Sequence, residues 1–276
     1  MITIQDIYNN NIQLFTKQFP GGETLLRLEN LTSHPMLEVT LNYESDTDII
    51  NLAMLNDAVR RAKGGITTLN IPYFPAARQD RVCNKGEALS VKVYAQLINN
   101  MHIPEVVVFD PHSDAVGVAL ENVTIVKNHK FAQNVLDHVL TNGVDKEDVL
   151  LVSHDAGSNK KIFEISQLTG VPNIRADKLR EISTGKIIET IVYADDLTGK
   201  IMVILDDISS YGGTFMALSK KLKEKGAEKV FLAVSHWEGV ADLNKLKESG
   251  IEKVYTTNSR VFENPDKQIT VFPWNQ

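Results

Sequence analysis

Short, almost wholly apolar runs recur along the chain, and longer amphipathic stretches separate them. Ile66–Ile71, Glu105–Phe109, Val149–Val152, Ile201–Leu205, Val230–Val234 and Lys253–Tyr255 are rich in β-branched and apolar residues. They do not alternate with polar positions, so both faces should be covered, as in the parallel strands of an α/β sheet. Pro72 ends the first run. Between the runs, Asp48–Ala62 sets Ile49, Leu52, Ala53, Leu55, Val59 and Ala62 near helical spacing. Leu89–Ile98, Phe131–Leu140, Asn159–Leu168 and Phe215–Lys225 behave in the same way, and Gly226 stands where a C-cap glycine belongs. Strand and helix alternate throughout, which predicts an α/β protein with doubly wound, mainly parallel sheets.

The pattern also divides. Each half contains a strand that runs into an acid-bearing loop: Phe109-Asp110-Pro111-His112 in the first, Leu205-Asp206-Asp207 in the second. A polar stretch at Thr141–Lys146 lies between them. Two domains are predicted, residues 1–142 and 143–276.

Composition narrows the possible partners. The 276 residues are 43% hydrophobic and 23% charged, ordinary for a globular protein, and the net charge is -6. That balance argues against broad nucleic-acid binding but leaves room for a small basic pocket. The single cysteine, Cys83, excludes an intramolecular disulfide, and a reducing cytoplasm is the simplest setting. Met1 to Asn11 are polar and carry no apolar core, and no apolar run is long enough to span a bilayer. Neither a signal peptide nor a membrane partner is expected.

The most informative segment is Asp206-Asp207-Ile208-Ser209-Ser210-Tyr211-Gly212-Gly213-Thr214. It follows a buried strand, and ligands of open α/β sheets bind beyond the carboxyl ends of strands. Gly212 and Gly213 let the backbone approach an anion closely. The helix that starts near Thr214 adds the positive end of its dipole. Asp206 and Asp207 would repel a phosphate. They suit ribose hydroxyls, or a magnesium ion. A plain strand-to-helix turn with Asp207 or Ser210 as cap would explain the glycines, but not two acids directly after a buried strand.

These residues resemble the ribose-5-phosphate loop shared by type I phosphoribosyltransferases and ribose-phosphate pyrophosphokinases. Asp206, Asp207, Gly213 and Thr214 match that pattern. Ser210 replaces an acid, and Tyr211 replaces a threonine. Pro72-Tyr73-Phe74-Pro75-Ala76-Ala77-Arg78-Gln79-Asp80-Arg81, continued by Glu87-Ala88-Leu89-Ser90-Val91-Lys92, resembles the ATP-binding segment of the pyrophosphokinases. The plain transferases lack that segment. Arg78 and Arg81 offer planar donors for phosphate oxygens, and Gln79 can read an amide-like base edge.

The resemblance implies further roles. Phe19-Pro20-Gly21-Gly22-Glu23 is similar to a segment that contacts adenine in a neighbouring subunit, with Gly21 in place of an acid. Phe19 and Glu23 would thus belong to the ATP site, and a homo-oligomer is implied. Asp110-Pro111-His112-Ser113 resembles the segment that supplies a metal-binding histidine, His112. Ser153-His154-Asp155-Ala156-Gly157-Ser158 resembles the pyrophosphate loop, whose acid, here Asp155, also helps hold Mg²⁺. Asp177-Lys178-Leu179-Arg180 resembles a mobile catalytic loop, with Lys178 and Arg180 on its catalytic cations. By that resemblance, the strand and helix that usually precede the segment at Phe19 are not expected in this sequence.

The activity implied is transfer of the β,γ-diphosphate of ATP to the anomeric hydroxyl of a ribose 5-phosphate moiety, with release of AMP. Asp206 and Asp207 would hold the ribose hydroxyls, and Ser209, Ser210, Tyr211, Gly212, Gly213 and Thr214 the phosphate. Tyr211 is far larger than threonine, and its ring can stack on a base or sugar. Two acceptors therefore stand open: ribose 5-phosphate, and a diester such as ADP-ribose, the substrate of phage-type ADP-ribose pyrophosphate synthetases in NAD salvage. Other readings are a non-catalytic regulatory homologue and a phosphoribosyltransferase. Both Lys178 and Arg180 are present, against the first, and the Arg78–Arg81 segment speaks against the second.

Overall fold

The computed structural model describes residues 1–141, 143–180, 187–260 and 267–275, and for Leu179, Arg180, Ile187 and Ile188 the backbone alone. The chain forms two compact units, Met1–Lys127 with Ser259–Val261, and Asn128–Asn258 with Phe262–Gln276.

The first unit contains β1 (Ile2–Asp6), β2 (Gln13–Gln18), β3 (Thr24–Glu29), β4 (Met36–Leu41), α1 (Asp46–Arg61), β5 (Gly65–Ile71), α2 (Ser90–Asn99), β6 (Glu105–Phe109), α3 (Ala115–Ala119) and β7 (Val123–Val126). Among the described residues its sheet runs β1-β4-β5-β6-β7, parallel except for β1. Leu37, Val39, Leu69, Ile71, Val106 and Val108 are buried on it beneath Leu52, Leu55 and Val59 of α1 and Ala95 and Ile98 of α2. The strands β2 and β3 form a separate antiparallel hairpin. The polar segment Met1–Asn11 departs from expectation. It supplies β1, whose Ile4 is 2% exposed, because one apolar side chain in two is enough to seat an edge strand.

The second unit contains α4 (His129–Val139), β8 (Val149–Ser153), α5 (Asn159–Thr169), β9 (Asn173–Arg180), β10 (Ile187–Val192), β11 (Ile201–Ser209), α6 (Gly213–Glu224), β12 (Lys229–Trp237), α7 (Leu243–Glu248), β13 (Ile251–Thr257) and β14 (Ile269–Phe272). Its sheet runs β10-β9-β8-β11-β12-β13-β14, parallel except for β10. The centre is dry: every residue of β11 except Asp206 is buried. Helix α4 packs against α5 and β12, so the units part at Lys127 and Asn128, earlier than the division at residue 142 that the polar stretch marks. No described helix is long and apolar enough to cross a membrane.

Candidate functional site

The strands β8 and β11 are neighbours, paired in parallel from Ile201↔Val149 to Ile204↔Val152. From β8 the sheet continues outward to β9, and from β11 it continues the other way, to β12. This is a topological switch point, where the loops that leave two adjacent strands diverge and open a crevice. The loops at Ser153–Ser158 and at Ser210–Gly212 both start there.

The strand β11 does not end at Leu205, as its apolar run indicates. It continues to Ser209, which pairs with Trp237 of β12. Asp206 and Asp207 are therefore strand residues, held by the ladder rather than by a loop. The Asp207 N–H donates to Asp206 Oδ1 at 2.9 Å. Burial pushes the Asp206 carboxyl well above its ordinary range, and the adjacent Asp207 carboxylate pushes it further. Ser209 is 1% exposed, and its hydroxyl has no partner among the described residues. A buried hydroxyl without a partner is costly, and a ligand hydroxyl or phosphate oxygen would satisfy it.

Beyond Ser209 the chain turns sharply. Gly212, at φ 73°, caps α6 at its amino end in the left-handed region. A Cβ there would also stand 3.1 Å from Leu246 Cδ2. A Cβ on Gly213 would meet nothing within 4 Å, so space lies open beside the first turn of α6. The Tyr211 ring is 75% exposed. Sequence reading missed what holds Ser210: its hydroxyl donates to the carboxylate of Glu238, just past β12. The Glu238 N–H in turn donates to the Ser209 carbonyl at 3.1 Å.

The neighbouring loop closes on itself. The Ser158 N–H donates to Asp155 Oδ1 at 3.0 Å, and the Ser158 hydroxyl accepts from the N–H groups of His154 and Asp155. The second oxygen of Asp155 faces two cations or donors: His154 Nε2 at 3.2 Å and Lys178 Nζ at 3.0 Å. The His154 hydrogen bond, with the Lys178 ammonium beside it, holds the Asp155 carboxyl far below the usual carboxylate range. His154 Nε2 also lies 3.2 Å from Asp206 Oδ2. A hydrogen-bonded chain thus runs Asp206, His154, Asp155, Lys178 across the switch point. His154 was not read as functional from the sequence. The available signal was the one used for His112: a histidine beside an acid, just after a buried strand.

Lys178 does not lie in a loop. It is on β9, opposite Thr190 of β10 in an antiparallel pair. Ile174 and Ala176 are less exposed than Asn173 and Arg175, the two-residue alternation of a strand, and Lys178 falls on the same face as Ile174 and Ala176. The side chain of Arg180 lies outside the described residues.

In the first unit, the segment with Arg78, Gln79 and Arg81 leaves the carboxyl end of β5, and Asp110 to His112 leave that of its parallel neighbour β6. Buried Phe74 and Ala77 anchor the first loop, while Arg78, Gln79 and Arg81 are exposed. Asp80 joins the two loops. Burial pushes its carboxyl up, but hydrogen bonds from Arg81 and Ser113, and the nearby His112, outweigh that and hold it below its ordinary value. Arg81 Nε lies 3.0 Å from Asp80 Oδ1. Asp110 is buried, and His112 is exposed. Phe19 and Glu23 form the exposed tip of the β2–β3 hairpin, closed by the Phe19 N–H donating to the Glu23 carbonyl at 2.8 Å. Phe19 is 43% exposed.

Comparison with known proteins places this geometry. The profile described as the N-terminal domain of ribose phosphate pyrophosphokinase matches residues 6–101. That of the phosphoribosyl synthetase-associated domain matches residues 113–268. The ribose-phosphate pyrophosphokinase of Saccharolobus solfataricus is 26% identical over 229 residues, which are 82% of this chain and 76% of that one. The chloroplastic ribose-phosphate pyrophosphokinase 2 of Spinacia oleracea is 29% identical over 224 residues, 80% of this chain but only 55% of that one. The crystal structure of phosphoribosylpyrophosphate synthetase from Mycobacterium smegmatis superposes with a TM-score of 0.79 at 23% identity, covering 97% of this chain and 88% of that one. Fold and site together define an α/β protein of phosphoribosyltransferase type. Within that class, the chain belongs to the ribose-phosphate pyrophosphokinase family.

Proposed function

We propose that the chain transfers the β,γ-diphosphate of ATP to the anomeric hydroxyl of a ribose 5-phosphate moiety. The anomeric oxygen attacks the β-phosphorus, the bond from that phosphorus to the oxygen bridging it to the α-phosphorus breaks, and AMP leaves with that oxygen. The observation that carries the reading is the pairing of two loops at one switch point. An acid-bearing strand end that runs on into a helix stands beside a loop whose acid is tied to a lysine. Little covalent chemistry falls to the protein in such a transfer, which runs on positioning and on neutralising phosphate charge.

In this reading Asp206 and Asp207 hold the ribose hydroxyls, and Ser209 to Thr214 with the amino end of α6 hold the 5-phosphate. Lys178, with Arg180, stabilises charge on the migrating phosphates. Arg78, Gln79 and Arg81 of the first unit, with Phe19 and Glu23, contact ATP. The assignment of Phe19 and Glu23 to a neighbouring subunit's site makes the enzyme a homo-oligomer. A cytoplasmic setting suits ATP as donor.

Mg²⁺ fits the residues present. Asp155 offers an ionised, partly exposed carboxylate, the hard oxygen donor that this ion takes. Among the described residues no three His, Cys, Asp or Glu side chains gather to hold a metal. An ion held by one or two carboxylates together with substrate phosphates needs no such cage. Asp155 is the proposed protein ligand in the second unit, and His112 is proposed separately as a metal ligand of the first. When bound, the ion would neutralise phosphate charge and fix the diphosphate for displacement.

Two acceptors satisfy this arrangement. Family membership favours ribose 5-phosphate. Two features favour a diester such as ADP-ribose, which would tie the activity to NAD salvage. The Ser210 hydroxyl is already engaged by Glu238, which removes a donor that a phosphate dianion would use. The exposed Tyr211 ring offers a platform for a further sugar or base. AMP release with ATP, Mg²⁺ and each acceptor in turn tests both. Release with ribose 5-phosphate alone removes the diester reading. ATP binding without AMP release from either acceptor would instead favour a regulatory homologue.

A further inference from the structure

His154 is 8% exposed at its side chain, in a strand-end position assigned no role in the site. Its Nε2 lies 3.2 Å from Asp155 Oδ2 and 3.2 Å from Asp206 Oδ2. An Nε2 that carries a hydrogen can donate to both acids at that distance. The other nitrogen, Nδ1, is buried and has no partner among the described residues, so the orientation of the ring is set from the Nε2 side. Phe215, in the first turn of α6, packs edge-on against the ring with centroids 5.6 Å apart. One imidazole therefore touches the end of β8, the acid of β11 and the helix that follows the ribose loop.

We propose that His154 is a positioning residue that couples the acceptor site to the catalytic lysine. Its single N–H is shared between Asp206, which faces the ribose, and Asp155, which pairs with Lys178 at 3.0 Å. Without that donor, two acid side chains would confront each other across the switch point, and each would shift to reduce the repulsion. A shift of Asp206 weakens the grip on the acceptor hydroxyls. A shift of Asp155 moves the Lys178 ammonium away from the phosphates. This coupling deepens the proposed function and rests on the roles given there to Asp206, Asp155 and Lys178.

The test uses the full chain with ATP, Mg²⁺ and whichever acceptor the wild type turns over. His154→Ala and His154→Leu both remove the donor, and the leucine keeps the contact with Phe215 should the alanine variant fail to fold. His154→Gln keeps a donor near the position of Nε2. A charge-assisted hydrogen bond lost from each acid predicts about a tenfold weaker acceptor Kd by calorimetry and about a tenfold lower kcat for the donor-free variants. Glutamine should recover most of both. The effects of His154→Leu and Lys178→Met on kcat should combine to less than their product. A purely structural histidine would lower the melting temperature and leave Kd and kcat in folded protein within about twofold, the scatter expected of uncoupled sites. That result, or a glutamine variant as impaired as leucine with independent effects, overturns the coupling while leaving the function standing. A wild type that releases no AMP with either acceptor overturns the function itself, and the coupling with it.

Discussion

The ammonium of Lys178 stands 3.0 Å from Asp155 Oδ2, joining a strand at one side of the second sheet to the loop at its centre. The lysine side chain is 15% exposed, so its reach is set by β9 and by its partner rather than by solvent. A cation held in this way needs little reorganisation when phosphate charge develops. Lys178→Met should lower kcat by about a hundredfold or more, the scale expected for loss of one preorganised charge-stabilising donor. Steady-state AMP release measures it. A change within threefold would remove Lys178 from the chemistry.

The same pair makes a pH prediction. The folded state holds the Asp155 carboxyl far below its ordinary range through His154 and Lys178. A depressed carboxyl stabilises the fold above the value it has in the unfolded chain, about 3.9, and that contribution is lost as the pH falls toward the folded value. Lys178→Met should therefore be less stable than wild type at pH 7, and the gap should close as the pH falls below about 4. Urea midpoints across that range measure it.

Asp206 carries the opposite sign. Burial and Asp207 raise its carboxyl, so between the unfolded value and the raised one the folded state binds more protons than the unfolded chain. Stability then falls as the pH rises through that window. Asp206→Asn should flatten this part of the profile and raise the melting temperature at pH 7 by a few degrees, about 1 kcal/mol. Its acceptor binding should be lost in the same protein. A variant both less stable and still binding would contradict the assignment.

Gly212→Ala tests the turn. A side chain at φ 73° costs about 1–2 kcal/mol from the left-handed conformation alone. The added Cβ would also press on Leu246 at 3.1 Å. Thermal unfolding should show the loss, and acceptor Kd should weaken as the first turn of α6 shifts. The change Gly213→Ala, with nothing within 4 Å of the new Cβ, should cost stability little and act on the acceptor alone.

Glu238→Gln tests the phosphate end of the loop. It removes a negative charge from beside Ser210 and weakens that hydroxyl's acceptor. The ratio of kcat/KM for ribose 5-phosphate to that for ADP-ribose should rise by about tenfold, the worth of one hydrogen bond to a charged group. An unchanged ratio would free Glu238 from any part in choosing the acceptor.

Much of this was legible in the chain. Glu105–Phe109 is a strand over those residues, and Asn159–Leu168 and Phe215–Lys225 fall within one or two residues of α5 and α6. Apolar runs covered on both faces announce themselves by composition. The strands β2, β3, β9 and β10 did not, because they are half-exposed and take their shape from pairing partners. The resemblance places Lys178 on a loop, and no local pattern speaks against it. Asp206, Asp207 and Gly212 could be picked out because a strand end and a tight turn demand those residues locally. Glu238 could not. Its contact with Ser210 spans 28 positions and follows from the β11–β12 register, which no local pattern encodes.

The central claim is diphosphoryl transfer to a ribose 5-phosphate moiety bound beyond β11. The most direct measurement incubates the full chain with ATP, Mg²⁺ and either ribose 5-phosphate or ADP-ribose, and follows AMP and the diphosphorylated sugar by chromatography. The account predicts one AMP released for each acceptor consumed, with at least one of the two, and none from Asp206→Asn. Release of inorganic phosphate and ADP in place of AMP, or AMP formed equally without an acceptor, would contradict it.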